Sequence, residues 1–201
     1  MARRSDHSRE EIREMAILAA ERLVEKQGYK GLSARKVASE IGYTVGTLYL
    51  VFKNLDELIL SVNARALDEL YLAMEESVEK NQDPKSCVIA LCHTYYLFAI
   101  QHVHRWTLIF EHILPEDQTV PDWYSIKVAR GFEILEKVLA PIASALDDQE
   151  ISKSARVLWG SVHGISMLAV TGKLGVVGVD SVNELLDSLV DNYLRGLIGE
   201  D

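Results

Sequence analysis

Apolar side chains recur at three- and four-residue steps along most of the chain, and no stretch alternates apolar with polar over the length of a strand. Ser8 stands three residues before Glu11, the spacing of a capping box, and Ile12, Ala16, Ala19 and Leu23 then share one helical face until Gly28 interrupts it. Ser33 opens a second, short run in which Val37, Ala38 and Ile41 share a face, and Gly42 closes it with a residue free to turn left-handed. Thr44 caps a third segment, residues 45–51, whose Leu48 and Phe52 point back toward the second helix. Asn54 caps a long fourth helix carrying Leu58, Val62, Ala66, Leu70 and Met74, which gives out in the polar residues 79–83.

Further on, Asp83 followed by Pro84 is an N-cap with proline at the first helical position, opening an apolar helix that the pattern extends to about Val103. Another helix is predicted over residues 105–114, a turn-rich loop over 115–121, and a helix over 122–146 with Phe132, Leu135, Val138 and Leu139 on one side. Two more carry their own capping pairs, Asp147 with Glu150 and Ser181 with Glu184, and run to about Thr171 and Leu197. Residues 172–178 form the loop between them. The chain therefore reads as all-α.

Composition narrows the class. With 201 residues, 48% of them apolar and a mean hydropathy of +0.04, the chain has ample material for a core and little resemblance to a disordered segment. Cys87 and Cys92, five apart, have neither the C-x-x-C redox spacing nor a zinc-ligand spacing and read as small core residues. No apolar run follows the opening arginines, so no export signal is visible, and a reduced cytoplasm is the expected compartment. The stretch 86–104 has no formal charge, but its histidines, tyrosines and Gln101 mark it as a buried helix and not a membrane span.

The net charge of −9 argues against a polyanionic partner until its distribution is considered. Residues 1–54 hold ten Lys/Arg against seven Asp/Glu, whereas residues 55–201 hold eleven against twenty-three. The two parts suit different partners.

The spacing of residues 33–52 is that of a helix-turn-helix, with Ala38 small enough for close helix approach and Gly42 in the turn. With a capped helix upstream, a basic excess and a long helix downstream, the segments Leu32-Ser33-Ala34-Arg35-Lys36-Val37-Ala38, Gly42, Gly46-Thr47-Leu48-Tyr49 and Phe52-Lys53-Asn54-Leu55-Asp56-Glu57-Leu58 resemble the N-terminal domain of TetR-family transcriptional regulators. Trp159 and His163-Gly164 are similar to the W-x-x-x-H-G pattern of one C-terminal subgroup. The resemblance implies a three-helix helix-turn-helix domain over residues 1–55 and a helical bundle over 56–201 that binds a ligand and dimerises through its last two helices.

Carried over residue by residue, it implies that Thr44, Val45, Gly46 and Thr47 face the major groove of double-stranded DNA and that Tyr49 reaches a phosphate. Ser33 would offer its hydroxyl and backbone N–H to another phosphate, with Arg35 beside it, and Lys53 would add a charge-assisted contact. Many relatives have Lys at the position of Leu55 and an aromatic residue or His at that of Leu50. Loss of that Lys weakens phosphate anchoring, while Leu50 and Val45 suit apolar contact such as a thymine methyl. A helical ligand sensor or protein-interaction module that does not bind DNA is the alternative reading.

In the C-terminal part, Tyr95, Trp106, Phe110, Trp123, His163 and Met167 are the candidate lining of a pocket for a small, largely apolar inducer, against the reading of the aromatics as ordinary core. Trp159 and His163, four apart, share a face as a stacked pair or a pocket wall. The last helix is apolar over more than one face, and small residues Ala155, Gly160, Ser161 and Gly164 on its neighbour allow close approach. A two-fold homodimer interface through Leu186, Val190, Tyr193 and Leu197 is the expected use, against the reading of a helix sandwiched within one subunit. His102, His104 and His112 do not share a helix face and predict no metal site, and no nucleophile elbow, phosphate loop or marked triad supports catalysis or a cofactor.

Overall fold

A computed structural model describes residues 7–178 and 181–199; the opening segment read above for an export signal lies outside the described residues. Within them the secondary structure is helical, without a strand. The elements are α1 (Arg9–Gln27), a single 3-10 turn (Tyr29–Gly31), α2 (Ala34–Glu40), α3 (Val45–Leu48), α4 (Leu55–Glu79), α5 (Pro84–Gln101), α6 (Val103–Glu111), α7 (Asp122–Leu139), α8 (Asp148–Val170), a 3-10 turn (Gly175–Val177) and α9 (Val182–Ile198).

The capping residues set most of these boundaries. The Ser8 hydroxyl accepts from the Glu11 N–H and the Glu11 carboxylate accepts from the Ser8 N–H, closing the box in both directions. Asp147 and Glu150 do the same for α8. Asn54 Oδ1 accepts from the Glu57 N–H at 2.9 Å and Asp83 Oδ2 from the Ser86 N–H at 2.8 Å. That bond, with a second from the Ser86 hydroxyl, holds the Asp83 carboxyl below the usual carboxylate range.

Three boundaries differ from the pattern-based expectation. α7 stops at Leu139 and not near Leu146, because Pro141 has no N–H and its ring disfavours helical backbone at Ala140. The chain leaves α5 at Gln101, and His102, with φ −125° and ψ 44°, accepts the first bond of α6 through its carbonyl. The third helix is regular only over Val45–Leu48, after which the N–H groups of Leu50 and Val51 bond the carbonyls of Thr47 and Leu48 in a tightened turn.

Two compact units result. The first is Met1–Ala66 with His102–Tyr124, and the second is Leu67–Gln101 with Ser125–Asp201. Compaction thus does not follow the sequence division at residue 55: α4 as far as Ala66 and all of α6 pack with the N-terminal helices. The core of the first unit comprises Ile12, Ala16, Ala20, Leu23 and Val24 of α1, Val37 and Ile41, Leu48 and Phe52, Leu58, Ile59 and Val62 of α4, and Leu108 of α6. The buried Arg105 of α6 pairs with Glu21 and Glu25 of α1, and His104 Nδ1 lies 2.8 Å from the Glu25 carbonyl. His112 Nε2 lies 2.9 Å from Asp56 Oδ1, so these two histidines engage separate partners.

In the second unit α5, α8 and α9 pack together, with Leu186, Val190 and Leu194 of α9 turned inward. A Cβ on Gly131 of α7 would lie 2.5 Å from the Tyr71 ring of α4, so glycine sets the approach of those two helices. Arg130 binds both carboxylate oxygens of Glu75 at 2.9 and 3.0 Å across the same pair. Among the described residues, no single helix is long and apolar enough to cross a membrane.

Candidate nucleic-acid interface

α2 and α3 are too short to be stable alone, and the first unit's core holds them through one face each. Val37 and Ala38 of α2 and Leu48 with Phe52 beside α3 are buried, which turns the remaining positions outward. Gly42 makes the corner between them at φ +75°, where a side chain would be strained. The Tyr43 N–H then bonds the Ala38 carbonyl at 2.9 Å and locks the turn.

The residues expected to face DNA differ in exposure. Thr44 and Gly46 are exposed, Val45 and Thr47 half-buried, and Tyr49 and Leu50 are 45% and 63% exposed. The Thr44 hydroxyl accepts from the Thr47 N–H at 3.2 Å and lies 3.0 Å from the Thr47 hydroxyl. One of these two hydroxyls donates to the other, which leaves the second O–H to point elsewhere. A Cβ on Gly46 would make only an ordinary 3.7 Å contact with Thr44 Oγ1, so nothing inside the chain demands glycine there. Its absent side chain keeps the surface open to close approach from outside.

Around this patch Ser33 caps α2 and accepts from the Lys36 N–H at 3.3 Å, keeping its own hydroxyl proton to donate. Arg35 and Lys53 are exposed. Lys36 is occupied instead: its ammonium donates to Gln27 Oε1 and to the Gly31 carbonyl, both at 2.8 Å, tying α2 to the turn before it. Leu55, where a Lys was the common alternative, packs against the unit's core.

Sequence reasoning missed Arg13 of α1. Its guanidinium donates to the Val51 carbonyl and to Glu57 Oε1, both at 2.9 Å, and to the Ser61 hydroxyl at 3.1 Å, while lying 4.3 Å from the centre of the Phe52 ring. The Asn54–Glu57 spacing was a legible cap, but a partner 44 residues upstream of Glu57 leaves no local signal.

The six predicted pocket residues are not brought together within either unit. Trp106, Phe110 and Trp123 belong to the first, where Trp106 is fully buried and meets Phe110 edge-on at 5.3 Å. Tyr95, His163 and Met167 belong to the second. The second unit holds an apolar cavity of about 30 Å³ lined by Met74, Leu91, Cys92, Tyr95, Leu135, Leu158, Trp159 and Val162, so only Tyr95 of the predicted set reaches it. Burial, with the Asp187 charge, pushes the Cys92 thiol up to about 12, so the wall carries no thiolate at neutral pH. At one end Tyr95 Oη lies 2.9 Å from His163 Nδ1, Trp159 stacks on His163 at 5.5 Å, and Phe132 meets Trp159 edge-on at 5.4 Å.

The predicted dimer residues also divide. Leu186 and Val190 have no exposed surface in the single chain and so present none to a partner; they are core positions. Tyr193 and Leu197 are half-buried, with the Tyr193 hydroxyl donating to the Ser154 carbonyl at 2.8 Å. An open groove runs instead along Ile165 of α8 and Leu185, Ser188, Leu189, Asn192 and Tyr193 of α9.

Residues 88–193 match the family model for the "Tetracyclin repressor-like, C-terminal domain", and residues 16–62 match that for "Bacterial regulatory proteins, tetR family". The chain belongs to the TetR family. It is similar to an uncharacterized HTH-type transcriptional regulator of Mycobacterium tuberculosis, at 25% identity over 90% of this chain and 79% of that one. Among solved structures it resembles a protein of unknown function from Rhodococcus sp. RHA1 with a TM-score of 0.78, at 24% identity over 98% of this chain and all of that one. A TetR-like transcriptional regulator from the same organism aligns with a TM-score of 0.62, at 20% identity over 95% and 96% of the two chains. As a TetR-family helix-turn-helix regulator the chain is a DNA-binding protein and not an enzyme, and the family's members act as dimers with small-molecule ligands.

Proposed function

We propose that the chain is a cytoplasmic homodimeric repressor that holds a palindromic operator and is released from it by a small, largely apolar inducer. The observation that carries this reading is the open face of α3. Thr44, Gly46 and Leu50 are exposed and Val45 and Thr47 half-buried beside the buried Leu48 and Phe52, with a glycine that no internal contact requires. Val45 and Leu50 offer apolar contact to thymine methyls, and the threonine pair offers one hydroxyl donor to a base edge. Ser33, Arg35, Tyr49 and Lys53 flank this face and supply phosphate contacts that fix register without reading sequence.

The groove of Ile165, Leu185, Leu189 and Tyr193 supports a two-fold pairing of α8 and α9, with Leu186 and Val190 bracing α9 from within. Two recognition helices then enter major grooves about one helical turn, ~34–36 Å, apart. The apolar cavity of the second unit supports the inducer class. At about 30 Å³ it is far smaller than the space a ligand occupies, so binding there is proposed to move its walls. That movement is what links ligand to DNA affinity.

Selection of the purified protein on a random-duplex DNA library tests the reading. A palindromic consensus with half-sites about 10 base pairs apart is expected. No enrichment, with a dimer still seen by light scattering, would favour the sensor-module alternative.

A further inference from the structure

We propose that Arg13 is a positioning residue for DNA binding: it fixes the turn that ends the recognition helix and, through Glu57, the backbone from which Lys53 reaches a phosphate. The inference rests on the reading of Lys53 as a phosphate contact.

α3 is four residues long, and the N–H groups of Tyr49, Leu50, Val51 and Phe52 take up the carbonyls of Val45, Thr47 and Leu48, while the Val51 carbonyl at the end of that turn is met by a side chain from another helix. That side chain is Arg13 of α1. One guanidinium nitrogen donates to the Val51 carbonyl and to Glu57 Oε1, the other to the Ser61 hydroxyl, and that hydroxyl donates onward to the Glu57 carbonyl at 2.8 Å. The second carboxylate oxygen, Glu57 Oε2, accepts from the Lys53 N–H at 2.7 Å. Glu57 is therefore shared: one oxygen faces Arg13, and the other holds the residue that carries the exposed ammonium.

The stacking of the guanidinium over Phe52 fixes its plane, and Phe52 is itself buried in the unit's core. Arg13 thus ties α1 to the turn after α3 and to the start of α4. A planar fork with donors on both terminal nitrogens can do this, whereas a lysine ammonium offers three donors from one point. Both terminal nitrogens of Arg13 are engaged by these acceptors although the side chain is 36% exposed, so the proposed contribution to DNA affinity is made through Lys53 and the α3 turn.

The test uses Arg13→Met, Arg13→Lys, Lys53→Ala and the double variant Arg13→Met/Lys53→Ala in the full chain. Amide hydrogen exchange reads the positioning without DNA. Exchange at Lys53 is expected to rise about tenfold or more in both Arg13 variants, while the amides of Leu23 and Val24 keep their protection. Binding to a duplex from the library selection reads the consequence. Arg13→Met is expected to raise Kd about tenfold and to lower the salt slope by roughly the one unit per protomer that Lys53→Ala removes, with no further loss of slope in the double variant. If Arg13→Met does not fold, Arg13→Lys, which keeps charge and bulk, is read by the same two measurements.

Unchanged protection of the Lys53 amide in the Arg13 variants overturns the proposal. So does a double variant whose slope falls below that of Lys53→Ala, which would make Arg13 a phosphate contact in its own right. A Lys53→Ala protein with the wild-type slope instead overturns the reading of Lys53, and the exchange data then decide the role of Arg13 on the backbone alone.

Discussion

Tyr95 Oη lies 2.9 Å from His163 Nδ1 at the edge of the apolar cavity, and Trp159 covers the same imidazole face-on. Burial favours the neutral ring and lowers the His163 pKa below the ordinary value. The folded chain therefore binds a proton here less readily than the unfolded one, and this site's contribution is complete above the ordinary imidazole pKa of about 6.5. It is lost as pH falls below that value, until the folded form also takes up the proton. Thermal melts of wild type and His163→Gln are expected to converge as pH falls from about 7 to about 5. A gap that stays constant over that range would show that His163 titrates as it does in the unfolded chain.

Dimerisation separates two neighbouring leucines of α9. Leu186 is enclosed within the chain, so Leu186→Ala is expected to lower stability by about 2–5 kcal/mol through cavity formation while leaving the dimer in place. Leu189 lines the open groove, so Leu189→Lys is expected to give a folded monomer. Light scattering beside a thermal melt checks both, and a Leu189→Lys dimer of wild-type affinity would move the interface elsewhere.

These residues also show what the sequence discloses. Capping pairs such as Ser8 with Glu11 and Asp147 with Glu150 act over three residues and were legible at once, as was the turn glycine at 42. The apolar stripe of α9 was legible too, but its width did not say which edge faces the core; Leu186 and Leu185 differ by one position and take opposite roles. Aromatic content was a poor guide to the cavity. Trp106 and Phe110 went to the first unit's packing, and the cavity wall is mainly aliphatic. Arg13 and Glu57 meet across 44 residues, a relationship that only the folded chain creates.

Ligand and operator are expected to oppose one another by the same factor in both directions. If an apolar ligand weakens operator binding about tenfold, the operator-bound protein must bind that ligand about tenfold less tightly, because the coupling is one free energy of about 1.4 kcal/mol. Calorimetric titration of the ligand into free and operator-bound protein measures it. A ligand that binds the second unit yet leaves operator affinity unchanged would remove the inducer role from that cavity.

The central claim is that the outward face of α3 reads bases. Thr47 is half-buried near the start of that helix, and its hydroxyl lies 3.0 Å from that of the exposed Thr44. The direct measurement is the random-duplex selection run in parallel on wild type and Thr47→Ala. The account predicts that both enrich palindromes of the same spacing and that the variant's base preference changes at one symmetric pair of positions. An unchanged consensus would contradict the placement of α3 in the groove.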